Sequence, residues 1–311
     1  MPEVDAIEAA QRAAGEPHPW PRIWAASGHS LDQVTTLARL GVWLGGSRAP
    51  RFQRCGVAAG ASSSGARALV VIAVEALADL APLPTRARSG QWLTVEARLR
   101  APATGGRVVV LGPGGAPRTV PSWFDGTTLR ARFAPDRAGE TTVQVVADLA
   151  GGPRPVLEAT VFADVEPQAH EPDRTAPGEE VVTGADDDER LAAMVVRARA
   201  SASLSPLARD ARLDGVAREH AKRMAELHQL AHDAGDGDPL ERLRAAGLEA
   251  GDTGENVAHA ASIGLAHRAF WASPSHRANI LSREFDRIGV AVVRDDHGEA
   301  WAVETFAGRL R

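Results

Sequence analysis

Several residue types are scarce in this sequence, and each shortage excludes a class of protein. Cys55 is the only cysteine among 311 residues, so the chain can form neither an internal disulfide nor a cysteine-based zinc knuckle. Lys222 is the only lysine and tyrosine is absent, so arginine carries almost all of the positive charge, as in GC-rich bacterial genomes. The net charge of −5 argues against a nucleic-acid-binding protein, which presents a basic face.

Long apolar runs are also missing. The apolar segment Ala68–Leu80 is too short to span a bilayer and contains two carboxylates, Glu75 and Asp79. The first residues, Met1–Arg12, are acidic and helical in character and do not resemble a signal peptide. We expect a soluble chain without a transmembrane segment, and export would need a leader that was removed or misassigned.

Changes in residue pattern divide the chain into four predicted regions. Residues 1–80 form a small α/β region that mixes weak helical stretches with proline, glycine and serine. Residues 81–165 alternate with a period of two, residues 166–186 are acidic without a periodic apolar face, and residues 187–311 follow mainly helical spacing. We therefore expect a β-sheet domain and a mixed C-terminal domain, joined by an acidic linker.

The alternating region predicts short antiparallel strands. Leu93, Val95 and Ala97 alternate with polar side chains, and turn signals rich in glycine and proline separate this run from similar ones. Evenly spaced short strands are typical of an antiparallel β-sandwich. The proline and glycine spacing between Phe133 and Val145 resembles bacterial immunoglobulin-like modules.

Three histidines lie in or near one predicted helix. The helix predicted at Leu207–Ala231 places His220 on its apolar face, where a single histidine is more often a hydrogen-bonded core residue than a ligand. His228 and His232 are four residues apart, the spacing that can place two imidazoles on one helical face. No glutamate follows His228, as the HExxH metalloprotease motif requires, so this spacing alone does not indicate a metal site.

Five motifs follow one another between residues 217 and 306. They are Ala217-x-x-His220-Ala221-x-x-Met224 with His232 twelve residues after His220, Asp238-Pro239-Leu240-x-Arg242-Leu243-x-x-Ala246-Gly247, Gly254-Glu255-Asn256-Val257-Ala258, Trp271-Ala272-Ser273-Pro274-Ser275-His276-Arg277-Ala278-Asn279-Ile280-Leu281, and Phe285-Asp286-x-Ile288-Gly289-Val290-Ala291 with Trp301-x-Val303-x-x-Phe306.

In this order the motifs resemble those of the CAP superfamily (cysteine-rich secretory proteins, antigen 5 and pathogenesis-related 1), also called SCP, PR-1-like or allergen V5/Tpx-1-related domains, in their bacterial form. The resemblance implies an α-β-α sandwich for residues 187–311, with a central antiparallel sheet between helical layers. The fold class expected for the whole chain is multidomain α+β. The CAP-type sandwich would follow an antiparallel β-sandwich and a small α/β N-terminal region.

The resemblance also implies a cleft that collects two histidines and two acids and can hold a divalent metal. Carried over by motif, His232 is the first histidine, Glu255 the first acid and His276 the second histidine. The second acid is expected after the tryptophan, where this chain has Ser273-Pro274. Two imidazoles and one carboxylate can still bind zinc or another divalent cation with water in the fourth position, although the loss of one ligand weakens binding.

Further residues of the motifs are expected to support this cleft. Glu255 itself has a structural alternative, in which it caps a helix and holds the cleft loops through backbone hydrogen bonds. His259, which follows it, is expected to be a solvated helix residue. The supporting residues are Gly254 and Asn256 in a tight turn into that helix, together with Trp271, Ser273, Arg277 and Asn279.

Three functions are compatible with these residues. The first is an exported or cell-envelope binding module whose cleft recognises a small or lipidic ligand or a protein partner, with the immunoglobulin-like domain as a spacer or second adhesive surface. The second is a metal-assisted or serine-type hydrolase, because Ser273 and Ser275 lie next to His276; no GxSxG elbow is present. The third is a structural interaction protein with a vestigial cleft. The residues do not decide whether the protein is an enzyme, and they favour binding.

The N-terminal region contains a weak echo of the C-terminal one. Phe52–Ala58 repeats the pattern of Phe285–Ala291, and a glycine follows each phenylalanine by thirteen residues. Residues 1–80 are either a shortened, degenerate CAP-like unit or similar by chance. Cys55 stands where the second copy has a core aliphatic residue, which predicts a buried thiol.

Overall fold

The computed structural model describes residues 10–11, 14–45, 52–61, 63, 65–167, 175–181 and 186–311. These residues form 16 strands and six helices arranged around four sheets. The start of the chain and most of the predicted linker, including residues 168–174 and 182–185, lie outside the described residues. The predictions made for those segments are therefore not examined by the structure.

The N-terminal region contains one three-stranded antiparallel sheet and one helix. Its strand order is β1-β3-β2, and eight of the nine residues of β2 are exposed. The thiol prediction is wrong, because Cys55 lies on this edge strand and is exposed. The elements are β1 (Arg22–Gly28), α1 (Gln33–Gly45), β2 (Gln53–Ala61) and β3 (Arg67–Glu75).

The middle of the chain forms two sheets around one apolar core, and we call it the two-sheet unit (residues 78–163). Leu93, Val95 and Ala97 point into this core, as their alternation predicts. The pairing is antiparallel except where β5 joins β12. The strands are β4 (Ala78–Leu80), β5 (Arg86–Ala87), β6 (Leu93–Leu99), β7 (Gly105–Leu111), β8 (Pro117–Val120), β9 (Ser122–Phe124), β10 (Thr128–Phe133), β11 (Gly139–Leu149) and β12 (Gly152–Ala163).

The C-terminal unit (residues 187–311) is built on a four-stranded sheet of order β13-β15-β16-β14, in which β14 is an edge strand. All nine residues of β16 are buried, because helices cover both faces of this strand. The elements are α2 (Asp187–Ser201), β13 (Ala208–Arg209), α3 (Ala211–Leu227), α4 (Pro239–Ala245), β14 (Asp252–Ala260), α5 (Ile263–Ala272), α6 (Pro274–Leu281), β15 (Arg287–Arg294) and β16 (Ala300–Gly308).

Two separate apolar cores lie on the two faces of this sheet. Helices α2, α5 and α6 share one core with β14, β15 and β16, and its largest buried side chains include Phe270 and Phe306. On the opposite face, α3 packs Ala217, Ala221 and Met224 against the same strands. The acidic run before α2 begins a helix as predicted, since the Asp186 carboxylate accepts a hydrogen bond from the Glu189 amide.

The structure corrects the predicted ends of two elements. Helix α3 ends at Leu227, because His228 adopts a left-handed conformation with φ of 46°. His228 and His232 therefore do not share a helical face. Glu255 lies in strand β14 and pairs with Thr305 of β16, so the predicted helix at this motif, and His259 as a helix residue, are wrong.

A short part of the predicted linker packs against the C-terminal unit. The carbonyl of Pro177 accepts a hydrogen bond from His267 Nε2 at 3.0 Å, and Glu179 pairs with Arg268 of α5. Ala176 is buried. Residues 175–181 thus pack against helix α5 of the C-terminal unit. Within the described part of the chain, no helix is both long enough and apolar enough to cross a bilayer.

Candidate binding cleft

Three different elements carry the predicted cleft residues. His232 lies in the loop between α3 and α4, Glu255 lies on the edge strand β14, and His276 lies in the first turn of α6. The fold brings the first two into direct contact, since His232 Nδ1 and Glu255 Oε1 are 2.9 Å apart. We call these three residues the cleft.

Arg242 of α4 holds the His232 loop against the edge strand. Its guanidinium donates to the His232 carbonyl at 2.7 Å and also to the carbonyl of Gly237. The same guanidinium forms an ion pair with Glu255 Oε2. Both oxygens of Glu255 are therefore already bonded, one by His232 and one by Arg242. Arg242 was part of a motif in the sequence, but its place at the carboxylate was not predicted.

Glu255 is an ionised carboxylate in a nearly water-free position. Its side chain is 1% exposed. Burial by itself would raise the pKa of Glu255, but the His232 hydrogen bond and the positive charge of Arg242 outweigh burial and lower the pKa below its usual value. The carboxylate therefore carries its charge at neutral pH and is balanced within the protein.

His220 is a core residue, as the apolar stripe predicts. Its ring is fully buried, with Nδ1 2.8 Å from Asp236 Oδ2 and Nε2 3.0 Å from the Ala231 carbonyl. Nε2 also lies 3.8 Å from Glu255 Oε1. His220 thus ties the loop that follows α3 to the helix and lies behind the cleft carboxylate.

His276 is a neutral imidazole at physiological pH. Burial, together with the nearby charge of His232, lowers the pKa of His276 to about 3. Its ring meets the Phe270 ring edge-on, with centroids 5.5 Å apart. A neutral imidazole carries one donor and one acceptor nitrogen, so His276 can take part in hydrogen bonds of either direction.

An amide network behind the cleft fixes the position of the β14 backbone. Asn256 donates to the His276 carbonyl at 3.2 Å and to Glu304 Oε2 at 2.7 Å. Asn279 donates to Asn256 Oδ1 and to the Glu255 carbonyl at 2.8 and 3.1 Å. Both asparagines thus join β14 to α6.

Glu304 is a buried acid that no sequence pattern indicated. It lies in β16 and is fully buried, and burial raises its pKa to about 8. Glu304 is therefore mostly protonated at neutral pH. Its role is to receive the Asn256 amide rather than to supply a charge to the cleft.

Gly254 is required for close packing and not for a turn. It lies in an extended strand, where a Cβ would come within 2.8 Å of the Phe285 ring and 3.1 Å of Asn279 Oδ1. The predicted tight turn at Gly254 is therefore wrong, and the close contacts of the strand explain the glycine instead.

The two-sheet unit contacts the serine segment next to His276. Gln144 of β11 is 1% exposed, its Oε1 accepts from the Ser275 amide at 3.0 Å, and its Nε2 donates to Ser273 Oγ at 3.2 Å. Gln144 Nε2 also donates to Glu158 of β12 at 2.9 Å. The hydroxyls of Ser273 and Ser275 lie 3.4 Å from each other. The serines are thus bonded to the two-sheet unit.

The β11–β12 turn of the same unit lies against His232. Gly151 accepts a hydrogen bond from the Asp233 amide at 3.2 Å. At Gly152, whose φ is +96°, a Cβ would come within 2.7 Å of the His232 Cβ. The two-sheet unit therefore supplies one wall of the cleft, which the sequence did not predict.

Trp271 and Arg277 fix the remaining side of this wall. The Arg277 guanidinium lies over the Trp271 ring, 4.2 Å from its centroid, and donates to the Trp271 carbonyl. It also reaches the carbonyl of Gly115 in the two-sheet unit at 3.3 Å. Both residues thus act as cleft supports, and Arg277 joins the two units.

Both carboxylate oxygens of Glu255 already have partners in this arrangement, His232 and Arg242. A cation at Glu255 would have to displace the Arg242 guanidinium, which already balances the carboxylate. Among the residues that the structure describes, the group of three whose ligand atoms all lie within 4.8 Å of one another is His259, Asp295 and Glu299. Metal binding by His232, Glu255 and His276 stays a prediction.

Comparisons with solved structures give similarities of low identity. An outer surface protein of Borrelia burgdorferi is 22% identical with a TM-score of 0.38, over 41% of this chain and 96% of that one. An extracellular SCP-domain protein of Bacillus anthracis is 20% identical with a TM-score of 0.37, over 56% and 65% of the two chains. A cysteine-rich secretory protein of Staphylococcus aureus is 14% identical with a TM-score of 0.34, over 74% and 86%.

The family assignment depends on the C-terminal unit. A comparison with curated protein sequences finds no significant match. The model of the cysteine-rich secretory protein family, CAP, matches residues 193–306, which contain His232, Glu255 and His276. Residues 193–306 of this chain are thus a CAP domain.

Proposed function

We propose that this chain is an exported or cell-envelope protein that binds a small or lipidic ligand, or a protein partner, at the cleft. The observation that carries the proposal is that both carboxylate oxygens of Glu255 already have partners. Because Arg242 and His232 bond both carboxylate oxygens, Glu255 maintains the shape of the cleft and has no free oxygen to act as a general base.

The other groups of the cleft support binding over hydrolysis. A serine nucleophile needs a hydrogen bond to a base, whereas the Ser273 hydroxyl accepts from Gln144 Nε2 and the Ser275 hydroxyl lies 3.4 Å from the Ser273 hydroxyl. His276, neutral and packed against Phe270, is suited to hydrogen bonding with an uncharged polar group of a ligand. The contacts of these described residues therefore support binding over hydrolysis.

The charged interior of the cleft favours binding over a vestigial site. Replacing a buried ion pair by apolar residues is often neutral or stabilising, so stability alone does not explain the Glu255 and Arg242 pair. We attribute the pair to a requirement for a defined cleft shape. The family name supports an extracellular or envelope location, although a single cysteine sets this chain apart from its cysteine-rich relatives.

Ligand titrations of the full chain test this proposal. A panel of a fatty acid, a sterol and a lysophospholipid is titrated into the protein by isothermal calorimetry. We expect at least one probe to bind, and His276→Ala and Gly152→Val to weaken that binding about tenfold or more, because they alter the ring and the wall. His29→Ala, an exposed histidine of the N-terminal region, is the matched control and leaves binding unchanged.

Two results would contradict the proposal. The first is binding of a probe that neither His276→Ala nor Gly152→Val changes, since the ligand would then lie elsewhere. The second is turnover of an ester or peptide substrate that Glu255→Gln abolishes, since this would make Glu255 a catalytic residue.

A further inference from the structure

A second cluster of ionisable side chains lies on the same sheet, outside the cleft. His259 is near the end of β14, Asp295 follows β15, and Glu299 precedes β16. His259 Nε2 is 2.9 Å from Glu299 Oε2 and 3.7 Å from Asp295 Oδ2, and all three ligand atoms lie within 4.8 Å of one another. We call these residues the hairpin cluster.

The His259 ring is held in place before any ligand binds. It stacks on the Trp301 ring with centroids 4.1 Å apart and an angle of 21° between the planes. Trp301 lies directly across from His259 in the β14–β16 register, so the backbone pairing fixes this stack. A ring oriented by its neighbours loses little freedom when a ligand binds.

Asp295 is positioned by its own turn and by Trp301. Its Oδ1 accepts the backbone amides of His297 and Glu299 at 2.9 and 3.0 Å. The Trp301 indole donates to Oδ2 at 3.2 Å, which orients that oxygen beside His259. These outer contacts resemble the hydrogen bonds that orient ligand groups at protein metal sites.

The charge of this turn favours a cation. Asp295, Asp296 and Glu299 are close in sequence. Arg294, which precedes Asp295, directs its guanidinium to Asp187 and to the Gly298 carbonyl. The Glu299 and His259 side chains are 44% and 33% exposed, so an ion and its water can reach them. The cluster therefore combines negative charge with an open side.

We propose that His259, Asp295 and Glu299 form a site for a divalent transition metal ion, with zinc as the expected ion. Imidazole nitrogen and carboxylate oxygen are both zinc ligands in proteins, and three protein ligands with water in a fourth position complete a tetrahedral site. Ligand atoms around tetrahedral zinc lie about 3.3 Å apart. The separations of 2.9 and 3.7 Å bracket this value, so small side-chain movements suffice.

Zinc titration of the full chain tests this site. Chelator-treated protein is titrated with zinc chloride by isothermal calorimetry at pH 7.5, and we expect one zinc ion per chain. Glu299→Gln keeps the size of an exposed side chain, and we expect it to weaken zinc binding about tenfold. His259→Ala removes the imidazole ligand, and we expect it to weaken zinc binding further.

Two further variants separate this site from the cleft. His29→Ala is the matched control for an exposed histidine, and zinc binding by this variant equals that of the parent chain. The double variant His232→Ala, His276→Ala removes both cleft imidazoles and keeps zinc binding if the hairpin cluster is the site. Loss of zinc in the double variant alone would place the metal in the cleft and overturn the proposal.

If His259 and Glu299 only form an ion pair and bind no metal, the zinc titration gives a different result. In that case the parent chain shows no zinc heat at micromolar concentrations, and the proposal fails. Zinc binding that survives both Glu299→Gln and His259→Ala overturns it as well. Neither result affects ligand binding at the cleft, so this proposal and the proposed function can fail separately.

Discussion

Two hairpins with similar sequences have very different surroundings in this protein. In the N-terminal region β2 and β3 pair antiparallel, and in the C-terminal unit β15 and β16 do the same. Eight of nine residues of β2 are exposed, whereas every residue of β16 is buried. Phe52–Ala58 and Phe285–Ala291 thus both lead into a hairpin, and the elements packed around each hairpin decide how much each side chain contributes to stability.

Matched glycines provide the strongest test of this difference. At Gly289 a Cβ would come within 2.2 Å of the Leu213 carbonyl carbon, while at Gly56 it meets none of the described atoms within 4 Å. Because helix backbone cannot move aside, we expect Gly289→Ala to lower the free energy of unfolding by about 3 kcal/mol or more. Gly56→Ala should change it by less than about 0.5 kcal/mol. Urea denaturation measures both, and equal effects would show that the two hairpins are equally packed.

The residues preceding these glycines should differ in the same direction. Ile288 is 3% exposed in the core shared with α2, whereas Cys55 is exposed. Ile288→Ala should lower the free energy of unfolding by about 2 to 3 kcal/mol, because it leaves a cavity. Cys55→Ala should leave it within about 0.5 kcal/mol. A large loss in the Cys55 variant would mean that another part of the chain covers β2.

Corresponding positions of β3 and β16 allow a pH comparison. Val71 faces Val57 in the first hairpin, and Glu304 faces Val290 in the second. Since burial raises the folded pKa of Glu304 to about 8 above its usual 4.5, the folded state keeps this proton, and stability falls as pH rises between these values. Relative to Glu304→Gln, the parent chain should lose up to about 1.4 kcal/mol between pH 6 and pH 7.

Glu304→Gln keeps an oxygen that can accept from the Asn256 amide, so the fold should be retained. The variant of the matched position, Val71→Ile, contains no titrating group and should follow the parent profile. Denaturation at several pH values makes this comparison. Parallel profiles for the parent chain and Glu304→Gln would mean that Glu304 is already ionised in the folded state.

Each hairpin region also contacts the two-sheet unit, and removing these contacts should give the smallest difference in the free energy of unfolding. Gln144 is buried against Ser273 and Ser275 of the C-terminal unit, whereas Arg54 of β2 makes a half-exposed ion pair with Asp79. Gln144→Ala should lower the free energy of unfolding by about 1 kcal/mol, since it leaves a buried amide unpaired. Arg54→Ala should change it by about 0.5 kcal/mol or less. Thermal unfolding of both variants measures these losses. A larger loss for Arg54→Ala than for Gln144→Ala would mean that water already reaches the contact between Gln144 and the serine segment.

Local patterns predicted the C-terminal fold well where the residues lie close in sequence. The ordered motifs around Glu255 and His276 indicated the CAP family, and the family model matches that part of the chain. The end of α3 was misplaced because Leu227 to Ala231 continues the apolar spacing, although His228 turns the chain out of the helix. The motif containing Glu255 was assigned to a helix because Glu255–Ala258 are four consecutive buried residues. They do not show the alternation of buried and exposed residues by which a strand is recognised.

The parts of the site that sequence did not reveal depend on distant contacts. Gln144 lies about 130 residues before Ser273 and Ser275, and nothing in its own strand marks it as a partner of the cleft. Glu304 reads as one polar residue in a strand, and only the pairing of β14 with β16 shows that it is buried. Arg242 stood in a recognised motif. Its positive charge, opposite in sign to that of Glu255, was the one sequence feature that could have indicated this ion pair.

The packing of Gly152 on His232 has an evolutionary consequence. A domain that only separates two others can be exchanged for a different one of equal length, because none of its side chains must match a neighbour. Here a side chain added at position 152 would collide with the cleft histidine, and Gln144 must match the serine segment. The two-sheet unit and the C-terminal unit are thus expected to be inherited together, with changes in one compensated by changes in the other.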